Sequence, residues 1–142
     1  MAVCPQSETT FADDLTNDCV RICPADFYAD NSTQTCVSQC PIINAGSLQT
    51  YADNISRYCV TDCPYPYFAE NLTRECVLEC PATGDYYGHP IQRVCVAATD
   101  CYKVGTQEYF ADSTTRLCVQ KCPLTLWADY NIYKCVATCP TG

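Results

Sequence analysis

Cys19-Val20-Arg21-Ile22-Cys23-Pro24, followed after three intervening residues by Tyr28-Ala29-Asp30 and then by Cys36-Val37, is the stretch that decides the fold. The Cys-Val-x-x-Cys-Pro signature returns at Cys36, Cys59, Cys76, Cys118 and Cys135. A stretched copy, Cys95-Val96-Ala97-Ala98-Thr99-Asp100-Cys101-Tyr102, lacks the proline, and Cys4-Pro5 is the second half of one further copy. Repetition on this scale marks an array of small units that cannot each bury a core alone.

The residues before each signature repeat as well. Eight positions ahead of the first cysteine stands an aromatic: Phe11, Tyr28, Tyr51, Phe68, Tyr87, Phe110 or Trp127. A small residue follows it (Ala12, Ala29, Ala52, Ala69, Gly88, Ala111, Ala128), then an acid (Asp13, Asp30, Asp53, Glu70, Asp112, Asp129), with His89 as the exception. Both the aromatic-Ala-Asp piece and the x-Cys-Val piece are short and β-prone, and Asn, Ser and Thr separate them, so each module is predicted to be a tight hairpin. A turn centred between the fourth and third residues before the cysteine sets the aromatic opposite the valine and the small residue opposite the cysteine. Aromatic against β-branched is a favourable cross-strand pair, worth about 0.2–1 kcal/mol. Without Asn-Gly or Asp-Gly, a two-residue primed turn is not expected, and the register is left open by one residue.

The expected fold is small, disulfide-rich and mostly β: one-disulfide hairpin modules in tandem, stacked into an elongated rod with no single hydrophobic core. One continuous array covers 4–139, with modules at 4–19, 23–36, 40–59, 63–76, 80–95, 101–118 and 122–135. The spans between their cysteines run 15, 13, 19, 13, 15, 17 and 13 residues. The irregular 80–101 stretch is expected to change the direction of the array.

Fifteen cysteines in 142 residues are about 11% of the chain, above the roughly 8–10% that marks a disulfide scaffold. Leucine, isoleucine and phenylalanine are scarce, and units without cores are held by cross-links. Closing a loop of about 15 residues contributes roughly 3 kcal/mol on chain entropy alone. Such cross-linking needs an oxidising compartment, so the chain is expected outside the cell or on its surface, by the secretory pathway. Met1-Ala2-Val3 leads straight into the array, so either a signal peptide has been removed or the chain is a window on a longer one. No run is long enough to span a membrane. A net charge of −8, with three lysines and five arginines scattered along the chain, argues against nucleic acid.

Three pairing schemes compete. Each module closes on itself, each Cys-x-x-x-Cys is a local clip, or adjacent modules interlock. An extended signature spans about 13 Å, too far for a clip, since a disulfide holds Cα atoms within about 7 Å. The self-closed scheme is favoured, and interlocking stays open. Consecutive pairing joins Cys4–Cys19, Cys23–Cys36, Cys40–Cys59, Cys63–Cys76, Cys80–Cys95, Cys101–Cys118 and Cys122–Cys135, and leaves Cys139 unpaired within this chain. Cys139-Pro140 matches Cys4-Pro5, so the array is expected to continue.

Asn31-Ser32-Thr33, Asn54-Ile55-Ser56 and Asn71-Leu72-Thr73 are N-glycosylation sequons. All three occupy one slot, at the predicted hairpin tip, and Asn31, Asn54 and Asn71 are expected to carry glycans. Ser113-Thr114-Thr115 fills the corresponding stretch of another module and is a weaker candidate for O-linked sugar. Zinc accepts Cys-x₂₋₄-Cys spacing, yet one histidine and the sequons point to oxidised cysteines. Calcium needs six to eight converging oxygens, which one acid per module does not supply. The acids are therefore read as turn starts that also aid solubility. His89 is read as sitting at a variant turn, and Trp127 as a packing residue. No cofactor, metal site or catalytic constellation is expected, and the chain is not read as an enzyme.

The Cys-Val-x-x-Cys-Pro signature with aromatic-Ala-Asp-Asn-x-Thr-x-x-Cys-Val resembles the cysteine-rich repeats of large secreted and surface proteins of ciliates. It is also similar to the furin-like cysteine-rich modules of growth-factor receptors. The resemblance covers Cys4 to Cys139 and implies single-disulfide units stacked into a rod, in which the second cysteine of one signature bonds the first of the next. The Cys95–Cys101 connector departs from that pattern and leaves the register there open. Two functions follow. One is an extracellular structural glycoprotein forming a rod, coat or filament, whose partners are its own neighbouring repeats and N-linked glycans. The other is the ligand-binding ectodomain of a receptor or surface antigen.

Overall fold

In the computed structural model, residues 4–5 and 9–140 are described, and the Met1-Ala2-Val3 stretch read for a leader lies outside them. Each module contributes two three-residue strands. The first strands are Phe11–Asp13, Tyr28–Asp30, Tyr51–Asp53, Phe68–Glu70, Tyr86–Gly88, Phe110–Asp112 and Trp127–Asp129. The second are Asp18–Val20, Thr35–Val37, Tyr58–Val60, Glu75–Val77, Cys95–Ala97, Leu117–Val119 and Lys134–Val136. The hairpin register is uniform: Phe11 faces Val20 and Ala12 faces Cys19, and the same pairs recur as Tyr28–Val37, Tyr51–Val60, Tyr87–Val96, Phe110–Val119 and Trp127–Val136. The register does not slip, because the turn supplies its own lock. The residue two before each cysteine is left-handed without being glycine: Asn17, Gln34, Arg57, Arg74, Arg93, Arg116 and Tyr133 have φ between 51° and 65°. That conformation is uncommon for such residues. It lets the amides of Asn17, Arg57, Arg93 and Arg116 reach back to the carbonyls of Asp13, Asp53, His89 and Asp112 at 2.8–2.9 Å.

The chain divides into two compact units, Met1–Pro64 with Asn71–Cys76 and Tyr65–Glu70 with Val77–Gly142. Within each unit one contact joins successive modules. The small residue of one hairpin bridges, in parallel, the residue before the cysteine of the next. In the first unit the bridges are Ala12–Thr35, Ala29–Tyr58 and Ala52–Glu75. In the second they are Ala69–Val94, Gly88–Leu117 and Ala111–Lys134. The amide of each small residue donates to the carbonyl of the next module's left-handed residue, at 2.8–2.9 Å in all six cases. The strained backbone position thus supplies the acceptor that couples neighbours.

Seven disulfides follow one another along the chain: Cys4–Cys19, Cys23–Cys36, Cys40–Cys59, Cys63–Cys76, Cys80–Cys95, Cys101–Cys118 and Cys122–Cys135, with Cα atoms 5.4–5.6 Å apart. Burial is distributed among small clusters that sit at the junctions. Phe11 packs with Cys23, Ala29 and Cys36, and Tyr28 with Cys40, Ala52 and Cys59. Phe68 packs with Cys80 and Cys95, and Tyr87 with Cys101, Ala111 and Cys118. Each ring lies on the disulfide of the following module, so the small residue opposite the cysteine leaves room for a neighbour's ring as well as for sulfur. Gly88 is the extreme case: a Cβ there would stand 2.8 Å from the Phe68 ring.

The longer spans hold extra turns. Ile42–Ile43 pairs with Leu48–Gln49, and Lys103–Val104 with Gln107–Glu108. The stretched connector winds into a 3₁₀ turn at Ala98–Cys101. It absorbs the extra residues locally, since Gly88 still meets Leu117 in the register used elsewhere.

Candidate functional site

The repeated junction is where the chemistry of the chain is concentrated. Its first part is the buried acid. Asp13, Asp30, Asp53, Glu70, Asp112 and Asp129 are all buried, which corrects the reading of this slot as an aid to solubility. A buried carboxylate must be bonded, and these fold the turn around themselves. Asp13 accepts from the Leu15 amide (3.1 Å) and the Thr16 hydroxyl (2.8 Å), and Asp30 from the Ser32 amide and the Ser32 and Thr33 hydroxyls. Asp53 accepts from the Ile55 and Ser56 amides and the Ser56 hydroxyl. Burial pushes the Asp112 carboxyl upward, but hydrogen bonds from the hydroxyls and amides of Thr114 and Thr115 outweigh it and hold the group below its ordinary value.

His89 performs the same task in the irregular module. Its Nδ1 accepts from the Ile91 and Gln92 amides, both at 3.3 Å, so the proton of the neutral ring lies on Nε2. The ring is fully buried against Tyr109, with centroids 4.8 Å apart, and burial lowers its pKa. It is a turn residue that does a carboxylate's work.

The second part is a cation. The arginines are not scattered: four of the five, Arg57, Arg74, Arg93 and Arg116, share the left-handed slot two residues before a cysteine. That alignment was available in the sequence. The turn aims the side chain back over the preceding module. Arg57 donates to the carbonyls of Pro24 (2.5 Å) and Phe27 (2.8 Å), with its guanidinium 5.1 Å from the Tyr28 ring centroid. Arg93 donates to the Tyr67 carbonyl and lies over Tyr65 and Phe68. Arg116 donates to the carbonyls of Pro81 and Tyr86 and stands 4.3 Å above Tyr87. Around Tyr87 the set is enlarged. Its hydroxyl donates to Asp85, and Lys134 also bonds Asp85, which holds that carboxyl below its usual range and raises the lysine.

The third part is the residue after the acid. The Tyr28 hydroxyl donates to Asn54 Oδ1 (2.5 Å) and that of Tyr51 to Asn71 Oδ1 (2.8 Å). Tyr87 meets Ser113 at 3.2 Å, and Phe110 packs edge-on against Tyr130. The three sequon asparagines, Asn31, Asn54 and Asn71, are exposed at hairpin tips. At Asn54 and Asn71 the tyrosine takes the oxygen, leaving Nδ2, the atom to which an N-linked sugar attaches. In the O-glycan candidate, Thr114 and Thr115 bond Asp112 and Ser113 faces Tyr87.

Cys139 is exposed and outside any disulfide. Trp127 departs from its expected role: the other six aromatics of this slot are 0–9% exposed, whereas Trp127 is 61% exposed. Among the described residues no three His, Cys, Asp or Glu side chains converge as metal ligands, and no helix is long and apolar enough to cross a membrane. One irregular cavity, of about 490 Å³, lies in the second unit, lined by residues that include Tyr65, Phe68, Glu79, Pro90 and Arg93. Comparison with known proteins finds no matching family model and no matching curated protein.

Proposed function

We propose that this chain is part of an extracellular structural glycoprotein whose hairpin modules form a rod, coat or filament, with N-linked glycans at Asn31, Asn54 and Asn71. The observation that carries this reading is the sameness of the junctions. Six successive contacts use one backbone hydrogen bond in one register, and the conspicuous buried polar groups are spent on holding turns and joining neighbours. Side chains committed in this way are not poised for turnover, so no catalytic role is proposed. Seven disulfides fit an oxidising compartment. The resemblance to ciliate surface repeats and to furin-like modules supports the same architecture.

The test is negative-stain microscopy of native, unreduced material before and after reductant. Uniform fibres or sheets that disperse on reduction support the reading. A monodisperse short particle under both conditions overturns it. A second reading, the ligand-binding ectodomain of a receptor or surface antigen, is favoured by the cavity beside Arg93 and Glu79, which offers a cation, an acid and aromatic rings together.

A further inference from the structure

We propose that the groove beside Asn31 seats the innermost sugar of the glycan carried there: an N-acetylglucosamine linked to Asn31 lies against Ile43 and Val60 and hydrogen-bonds Thr61 and Asp62. This deepens the glycoprotein reading above and rests on it.

The groove has a volume of about 440 Å³ and lies within the first unit. The acid turn of the second module, from Asp30 to Ser32, forms one wall and sets the exposed Asn31 on it. Ile43 and Thr50 of the third module form another, and the connector from Cys59 to Asp62 closes the site. The third module has the longest span of the seven, 19 residues between its cysteines. Its extra residues pair Ile42–Ile43 with Leu48–Gln49, and the stacking register does not use them: Ala29 meets Tyr58 and Ala52 meets Glu75, as in shorter modules. Gln49 donates to the Asn71 carbonyl at 3.2 Å and steadies this extra hairpin against the next module. An insert that stacking does not need thus supplies a fixed wall beside a sequon.

The lining suits a neutral sugar. Ile43 and Val60 are half-buried, and each presents an apolar side for an acetyl methyl group or a ring face. Thr61 and Asp62 are exposed, and the carboxylate accepts from sugar hydroxyls. Asp30 is committed to Ser32 and Thr33, and together with Asp62 it repels an anionic occupant. The volume lies near the low end of the roughly 300–1,000 Å³ of small-ligand sites, which suits an innermost sugar and not a whole branched glycan. Phe11 offers Asn31 no hydroxyl, so its amide is not held as Tyr28 and Tyr51 hold those of Asn54 and Asn71. Tethering supplies the strength. A short link gives an effective concentration on the order of millimolar, so contacts too weak to capture a free sugar suffice for a linked one.

The experiment uses the whole chain, secreted from cells fed carbon-13-labelled N-acetylglucosamine, with each glycan trimmed enzymatically to its innermost sugar. Asn31→Gln identifies the Asn31 sugar by the loss of its signals. The expected result is nuclear Overhauser contacts from its acetyl methyl group to the methyl groups of Ile43 and Val60. Its ring C–H order parameters should approach the roughly 0.85 of rigid backbone, against less than about 0.6 for a free sugar. Ile43→Ser should abolish the contacts and bring the order parameters below about 0.6 at unchanged occupancy of Asn31. Asp62→Ala, at an exposed position outside the extra hairpin, should lower them as well. A sugar on Asn31 that is mobile and touches neither side chain overturns the proposal and leaves the glycoprotein reading standing. So does a sugar whose contacts and order neither substitution alters. A chain bare at Asn31 in the glycopeptide masses removes the glycan there, and the proposal with it.

Discussion

His89 makes one module sensitive to mild acid in a way its neighbours are not. The fully buried imidazole accepts two backbone hydrogen bonds through Nδ1, and burial depresses its pKa below the ordinary value of about 6.5. Protonation would turn that acceptor into a donor facing two amides and would place a charge where no water reaches. The unfolded chain therefore binds the proton more readily, and stability falls as acid is added. The contribution of neutral His89 is fully present above about pH 6.5 and is lost as pH falls towards the folded-state pKa. Its slope is at most about 1.4 kcal/mol per pH unit, so the loss reaches at most about 2 kcal/mol between pH 6.5 and 5. Asp112 supplies an internal control. Its folded-state pKa is lowered, so its contribution persists above the ordinary aspartate value of about 3.9 and is lost only at lower pH. Amide hydrogen exchange reads both sites: the Arg93 amide donates to the His89 carbonyl and the Arg116 amide to that of Asp112. Corrected for intrinsic rates, the opening free energy at Arg93 should fall between pH 6.5 and 5 while that at Arg116 stays level. His89→Asp, which restores the common residue, should remove the slope whatever it does to overall stability. Equal pH dependence at both amides in the parent chain would refute the argument.

Three further outcomes follow from the junctions. Gly88→Ala puts a methyl group 2.8 Å from the buried Phe68 ring and should destabilise by about 1–3 kcal/mol in denaturant titrations with disulfides intact; unchanged stability would remove the packing account of that glycine. Arg116→Ala deletes two charge-assisted hydrogen bonds and a stacked cation at a side chain only 12% exposed, and should cost about 2–4 kcal/mol. Arg116→Lys should restore less than half, since an ammonium lacks the planar fork. Substituting Gln for Asn31, Asn54 or Asn71 should each remove one glycan from the intact mass of secreted protein, and a parent chain at its bare polypeptide mass would refute modification.

The hairpins and their register were legible because their determinants are local. An aromatic, a small residue and, His89 apart, an acid recur eight, seven and six positions before the first cysteine of each signature, and the observed Phe11–Val20 and Ala12–Cys19 pairs follow from that spacing. Relations between modules were harder to read. The acid looked like a solvated turn residue, because nothing in Asp30 or Asp112 alone shows that the carboxylate is buried beneath the turn it holds. Arginine at the left-handed slot was readable by aligning the copies, since it stands six after the aromatic and two before the cysteine in four of them, but the alignment does not show that its side chain reaches back over the preceding module. His89 broke a chemical pattern while keeping the geometric one, since imidazole Nδ1 can stand in for a carboxylate oxygen.

Aligning the junctions also shows that in four of the six the third contact is matched to its partner. Where the aromatic carries a hydroxyl, the next module offers an acceptor: Tyr28 meets Asn54, Tyr51 meets Asn71, and Tyr87 meets Ser113. Where the aromatic is Phe110, the next module offers a ring, Tyr130. Two of the three sequon asparagines therefore have a structural reason to be asparagine. Asn31 follows Phe11, which has no hydroxyl to bond it, so the tyrosine–asparagine contact does not account for that sequon. The matching can be tested at Tyr28, whose pKa is raised chiefly by burial, with the carboxylate of Glu75 adding to it. Tyr28→Phe leaves the ring in place and the Asn54 oxygen without its donor, and should cost about 1 kcal/mol. Exchanging Asn54 for Tyr in that background, which copies the Phe110–Tyr130 pair, should recover part of the loss. If the double variant is no better than the single one, the pairs are independent and the order of modules is not written in their junctions.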